Sequence, residues 1–242
     1  MKQLAALEAH LAVGAFALLT TSCFAVTDLG RFEKAEATAP SNFSNLRVTV
    51  RGMTSHVAER FEYRVVDGSN VIQSRGLITP LGGPAATFQV RGAVPKLNGP
   101  FRLDFFADHD FSGAYDPRPD TTLDHAWRLP LEDGLLDESG TFVIVFDHNT
   151  SFTNLNTPQP PTEIGKRAVV HLKGMASFQG RRIEVRVADA STRRVVAMFR
   201  VPQLGAPELD AAVDGMMETG VTYAVEIYTD DGRATAGSIR AF

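Results

Sequence analysis

The stretch VTVRGMTSHVAERFEYRVVDGS, residues 48–69, returns as VHLKGMASFQGRRIEVRVADAS, residues 170–191. Laid over each other without a gap, the two share ten identical positions, among them Gly52/Gly174, Met53/Met175, Glu62/Glu184, Arg64/Arg186, Val65/Val187 and Asp67/Asp189. Self-similarity of this length marks a duplicated unit. Around and within the first copy, Leu46, Val48 and Val50 alternate with Arg47, Thr49 and Arg51, and Phe61, Tyr63 and Val65 alternate with Arg60, Glu62 and Arg64. A period of two belongs to a strand buried on one face. Gly52 ends the first strand and Asp67-Gly68 turns the chain out of the second.

Working outward, further strands are expected near residues 71–78, 87–91, 101–106, 125–131 and 141–146, separated by turns such as PLGGP and KLNGP. No segment has the period of an amphipathic helix. Short strands at this spacing resemble antiparallel sandwiches of the immunoglobulin-like or transthyretin-like kind. The expected fold class is therefore all-β, with two tandem antiparallel β-sandwich domains related by a repeat at an offset of 122 residues. The first spans 46–149 and the second 166–242, with strands expected near 170–172, 183–187, 195–200, 223–227 and 234–242. Residues 150–165, rich in Asn, Thr and Pro, read as a semi-rigid linker. The second domain is expected to be one strand short, with nothing to match GTFVIVF.

Repeated residues serve what both units need. Glu62 with Arg64, and Glu184 with Arg186, sit two apart on one strand face and are expected to form exposed charge pairs. Met53 and Met175 are expected to plug the ends of the sandwiches.

With 242 residues, 44% of them hydrophobic and 21% charged, the chain has the composition of a globular protein. Its net charge of −4 argues against a nucleic-acid partner. Residues 1–22 carry Lys2 and an apolar run from Leu11 to Leu19, too short to span a bilayer and typical of an export signal. LLTTSC resembles the lipobox of bacterial lipoproteins, with Thr20 where that family has Leu. The resemblance implies a lipid on Cys23, the only cysteine, and a membrane-anchored protein of the cell envelope, in the periplasm or on the outer membrane. Ordinary signal cleavage after Ala25 is the competing expectation. Residues 23–45 read as a flexible stalk.

Chemistry is sought in what one copy has and the other lacks. Residues 108–124, DHDFSGAYDPRPDTTLD, hold five carboxylates against one Arg. Asp108, Asp110 and Ser112 at alternate positions, followed by Gly113, resemble the start of calcium loops of the EF-hand and dockerin kind. That resemblance implies a Ca²⁺ site with the Ala114 carbonyl and Asp116 as further ligands. Pro119 stands where an EF-hand has its bidentate Glu, so Asp120 or Asp124 has to fold back. A second constellation is the Asp-His pair used three times, at 108–109, 124–125 and 147–148, whose histidines are candidate zinc or copper ligands. Neighbouring residues on a strand point to opposite faces, so each Asp need not support its own His. Tyr115 and Trp127 beside the loop, with His125, are candidate ligand contacts.

Metalloprotease, nucleophile-elbow and phosphate-loop motifs are absent, and no cysteine nucleophile is available. The leading expectation is a binding or structural module of the cell envelope whose partners are the membrane, through its lipid, and an envelope protein or glycan. The alternatives are a carbohydrate-binding or carbohydrate-cleaving sandwich and a periplasmic transition-metal binder.

Overall fold

The computed structural model describes residues 38–97, 99–116, 124–229 and 240–241. The expected signal, Cys23 and most of the stalk lie outside these, as do Asp120 and most of the strand expected at 234–242. Among the described residues there is no α-helix. The strands are β1 Phe43–Arg51, β2 Arg60–Val66, β3 Ile72–Ile78, β4 Ala86–Pro95, β5 Phe101–Asp108, β6 His125–Leu131, β7 Thr141–Asp147, β8 Lys166–Leu172, β9 Ile183–Asp189, β10 Val195–Val201, β11 Leu209–Met217, β12 Tyr223–Thr229 and the short β13 Arg240–Ala241.

The protein is an all-β sandwich built on one large sheet in the order β13-β12-β9-β10-β3-β2-β5-β6. Two small sheets, β4-β1-β7 and β11-β8, complete it. Strands of both halves share the large sheet, because β3 and β10 pair in parallel, Arg75 beside Ala197 and Ile78 beside Arg200. Register shows which side chains share a face. Tyr63 lies opposite Gly76, and Met198 flanks Gly76 from the other side. That face meets β4-β1-β7 through Leu46, Val48, Tyr63, Phe88, Phe105 and Met198. The opposite face carries Leu77, Val185 and Phe199 and meets β11-β8 through Ala211 and Val213. Each small sheet therefore covers a different face of the large one.

Covering both faces overturns one expectation from the sequence. Glu62 with Arg64, and Glu184 with Arg186, are not exposed charge pairs: all four are buried. The Glu62 carboxylate accepts hydrogen bonds from Arg64 Nε at 2.8 Å, Arg75 Nε at 2.7 Å and Arg60 Nη2 at 2.9 Å. The Glu184 carboxylate accepts from Arg186 Nε at 2.6 Å and Arg200 Nε at 2.7 Å. Each cluster is roofed by a strand of the other half. Arg200 donates to the Thr87 carbonyl of β4 at 2.8 Å, and Arg75 to the Asp214 carbonyl of β11 at 2.9 Å. The alternation that reads as a solvent face on an isolated sandwich is here a second buried face.

Burial works to raise the Glu62 carboxyl, but Arg64, Arg75 and Arg60 overcome it and hold the group at about 2. A native pKa below the unfolded value gives stability that is complete above the unfolded pKa of about 4.5 and is withdrawn as pH falls through about 2. Stability measured in denaturant should decline over that window, and less steeply in Glu62→Gln. An unchanged slope in the variant would detach Glu62 from the decline.

β11 was not expected. Asp210, Asp214 and Gly215 break the apolar pattern of LDAAVDGMM, and Gly215, at a φ of +70°, accompanies a shift of register between Val213 and Met217. Residues 149–165 are held along the sheet at several points. Thr153 N–H donates to the Ala126 carbonyl at 2.8 Å beside β6, Leu155 is fully buried, and Ile72 N–H donates to the Thr162 carbonyl at 3.0 Å.

Candidate metal centre

Four strand ends meet at one edge of the first core, and each brings a histidine. β1 stops at Arg51, and Gly52, at a φ of +68°, turns the chain into the 3-10 turn Thr54–His56. That turn carries His56 inward until it is fully buried. His148 follows β7 and is fixed by its own N–H, which donates to the Arg51 carbonyl at 2.9 Å. His109 follows β5, and His125 opens β6 on the same face as Trp127.

The rings form one cluster. His56 Nε2 lies 3.1 Å from His148 Nε2 and 3.3 Å from His125 Nδ1. His109 stacks on His125 with ring centres 4.9 Å apart, and Phe152 also stacks on His125, at 4.1 Å. Trp127 meets His56 edge-on at 5.8 Å. Glu59, itself buried, anchors the group: Oε2 lies 2.7 Å from His56 Nδ1 and Oε1 2.6 Å from His109 Nδ1.

Electrostatics set the tautomer of His56. A carboxylate at Nδ1 holds the proton of neutral His56 on that nitrogen, so Nε2 faces His125 and His148 as an acceptor. Burial pushes the His56 pKa down, Glu59 works against this, and the neighbouring His125 and His148 push it down further. The His148 pKa is lowered by burial and by His125. Ring nitrogens of His56, His125 and His148 all lie within 4.8 Å of one another, and an ion at zinc–nitrogen bond length needs its ligand nitrogens roughly 3.3 Å apart in a tetrahedron. The two contacts at His56 match that spacing. A carboxylate behind a ligating imidazole is the usual outer support of such an ion.

Of the three Asp-His pairs, then, the histidines converge, but the adjacent Asp of each is not its partner. Glu59 takes that role for His56 and His109. His171 pairs with Asp210 at 2.7 Å in an exposed position on the small sheet β11-β8.

The acidic loop converges in part. Oxygens of Asp108, Asp110 and Asp124 lie within 4.8 Å of one another, so Asp124 folds back on the other two. Asp116 contributes its backbone N–H, which donates to Asp124 Oδ2 at 2.7 Å. The Ser112 hydroxyl donates to the Ala114 carbonyl at 2.9 Å. Burial raises the Asp124 carboxyl to about 6, with the charges of Asp108 and Asp110 adding to the rise. Burial also raises Asp108.

Both aromatic candidates make contacts within the fold. Trp127 is buried and donates its indole N–H to the Asn149 carbonyl at 3.1 Å, so its ring offers no platform to a sugar. Tyr115 packs on Phe106 at 5.2 Å, and its hydroxyl accepts the Leu155 N–H at 3.0 Å. Met53 is fully buried, as expected of a plug.

His56 and Glu59 went unnoticed in the sequence because they lie inside the repeated stretch. The signal was present there: the second copy has Phe178 in place of His56 and Arg181 in place of Glu59. Comparison of the chain with models of known protein families, with curated proteins and with solved structures gave no match.

Proposed function

We propose that this protein is a transition-metal-binding module of the bacterial cell envelope, which holds one zinc or copper(II) ion on His56, His125 and His148. The observation that carries the reading is the convergence of three ring nitrogens on one point, 3.1 and 3.3 Å apart where His56 meets the other two. Imidazole donors without thiolate suit zinc and copper(II), and copper(II) binds such sites more tightly. Glu59 orients His56, and Trp127 and Phe152 close the apolar side of the centre. His125 and His148 are only half-buried, which gives an ion a way in and leaves a position for water or a partner's ligand. The envelope address rests on the signal-like N-terminus and the lipobox resemblance at Cys23.

The test is titration calorimetry, with metal content measured after dialysis. One zinc or copper(II) ion per chain is expected. Glu59→Gln should weaken binding by about 10–100-fold, as loss of such a support does elsewhere, while His148→Ala should weaken it more. Unchanged affinity in His148→Ala would remove the assignment.

A further inference from the structure

The face of the large sheet that points away from the histidines carries a second set of convergent donors, of a different chemical kind. Strand alternation separates the two sets. Along β6, His125 and Trp127 point to the first core, whereas Ala126 packs with Phe106 and Leu155 on the other face. Asp124 and Asp108 share the parity of Ala126 and Phe106. The pairs at 108–109 and 124–125 thus place their carboxylates on one face of the large sheet and their imidazoles on the other.

Asp108 carries the argument. It is 2% exposed, its Oδ2 accepts the Gly113 N–H at 2.9 Å, and its Oδ1 has no hydrogen-bond partner among the described residues. A buried carboxylate oxygen left unpaired is costly, and native structures rarely keep one without an ion or water to meet it. Asp110 and Asp124 bring their oxygens within 4.8 Å of the Asp108 ligand atom, and among the described residues no Lys or Arg forms an ion pair with any of the three. Three carboxylates that close on one another, with no Lys or Arg among the described residues to pair with them, relieve their repulsion by binding a proton or a cation from solution.

We propose that Asp108, Asp110 and Asp124 form a hard-cation site for Ca²⁺, separate from the histidine centre. All-oxygen donors select calcium or magnesium over zinc and copper, and water and backbone carbonyls complete the six to eight oxygens that calcium takes. Calcium is favoured over magnesium because it tolerates irregular geometry and dehydrates readily. The ion also has a structural consequence. Asp124 Oδ1 accepts the His109 N–H at 3.2 Å, so an ion held there ties together the ends of β5 and β6 that present His109 and His125.

The experiment uses the full chain, with CaCl₂ or MgCl₂ as probe and a chelator as blank, read by calorimetric titration and thermal unfolding. One Ca²⁺ per chain is expected, in the wild type, in zinc-saturated protein and in His148→Ala alike. At about a hundredfold excess over Kd, calcium should raise Tm by several degrees and magnesium by less. Asp110 is exposed, so Asp110→Asn should fold normally and bind calcium at least tenfold more weakly; Asp108→Asn should abolish the shift. Absence of calcium heat and of any shift in the wild type would overturn the proposal, as would a calcium shift that persists in both variants. Loss of calcium binding on zinc loading would merge the two sites and overturn it too. Zinc failing to bind while calcium binds would sink the transition-metal reading and leave this one standing.

Discussion

Glu184→Ala should lower the melting temperature by roughly 6–20 °C. Glu184 is the carboxylate that Arg186 and Arg200 share in a buried cluster, and Arg200 also holds the Thr87 carbonyl of β4. Removing one partner of a buried ion pair leaves charge without compensation and costs about 3–5 kcal/mol. In a protein of this size each kcal/mol moves Tm by roughly 2–4 °C, which gives the stated range. Glu184→Gln keeps one acceptor oxygen and should lose less. Replacing Glu184, Arg186 and Arg200 together by apolar residues of similar volume should restore much of the loss, because desolvation offsets most of the worth of such a cluster. Scanning calorimetry of the three variants decides it. If Glu184→Ala melts with the wild type, the cluster is not desolvated and the two-sided burial of the large sheet is wrong.

The second large effect is metal-dependent. An ion that binds only the folded state adds RT ln(1 + [L]/Kd), about 4.1 kcal/mol at a thousandfold excess, so zinc should raise Tm by roughly 8–16 °C. The rise should disappear in His148→Ala and in His125→Ala, whose half-buried positions make misfolding a lesser concern than at His56. The same additions to His171→Ala should leave the rise intact, since that histidine lies exposed on the small sheet β11-β8. A zinc shift that survives in His148→Ala would place the ion elsewhere.

How far these sites could be read from the chain depends on what each kind of signal encodes. Alternation along β1 and β2 marked strands correctly, because a pleated strand repeats every two residues whatever covers it. It could not say that Glu62 and Glu184 are buried. That follows from β3 and β10 meeting across the two halves, a pairing that no local pattern records. The nearness of Asp108 and Asp110 was legible because both lie within one loop. Of the histidine centre, His125 and His148 were legible through the repeated Asp-His pair, whereas His56 was not, since it comes from a separate stretch of chain and has no Asp before it. Subtracting one copy of the repeat from the other, carried into the repeated stretch itself, would have singled out His56 and Glu59.

The parallel pairing of β3 with β10 also governs how the chain comes to be folded. Ala197 sits beside Arg75, 122 residues back along the chain. Contacts of such separation make folding slow, since a long loop must close before they contribute. At synthesis rates of about 5–20 residues per second, β3 waits roughly 6–24 s after it is made before β10 exists. Throughout that interval its N–H and C=O groups form an open template on which another chain can dock. Arg75 and Gln73 interrupt the apolar run of that strand, IQSRGLI, and blunt the hazard. Nascent molecules are thus most vulnerable to pairing with one another during this wait, and a factor that shields β3 would protect the yield without touching the stability of the finished fold.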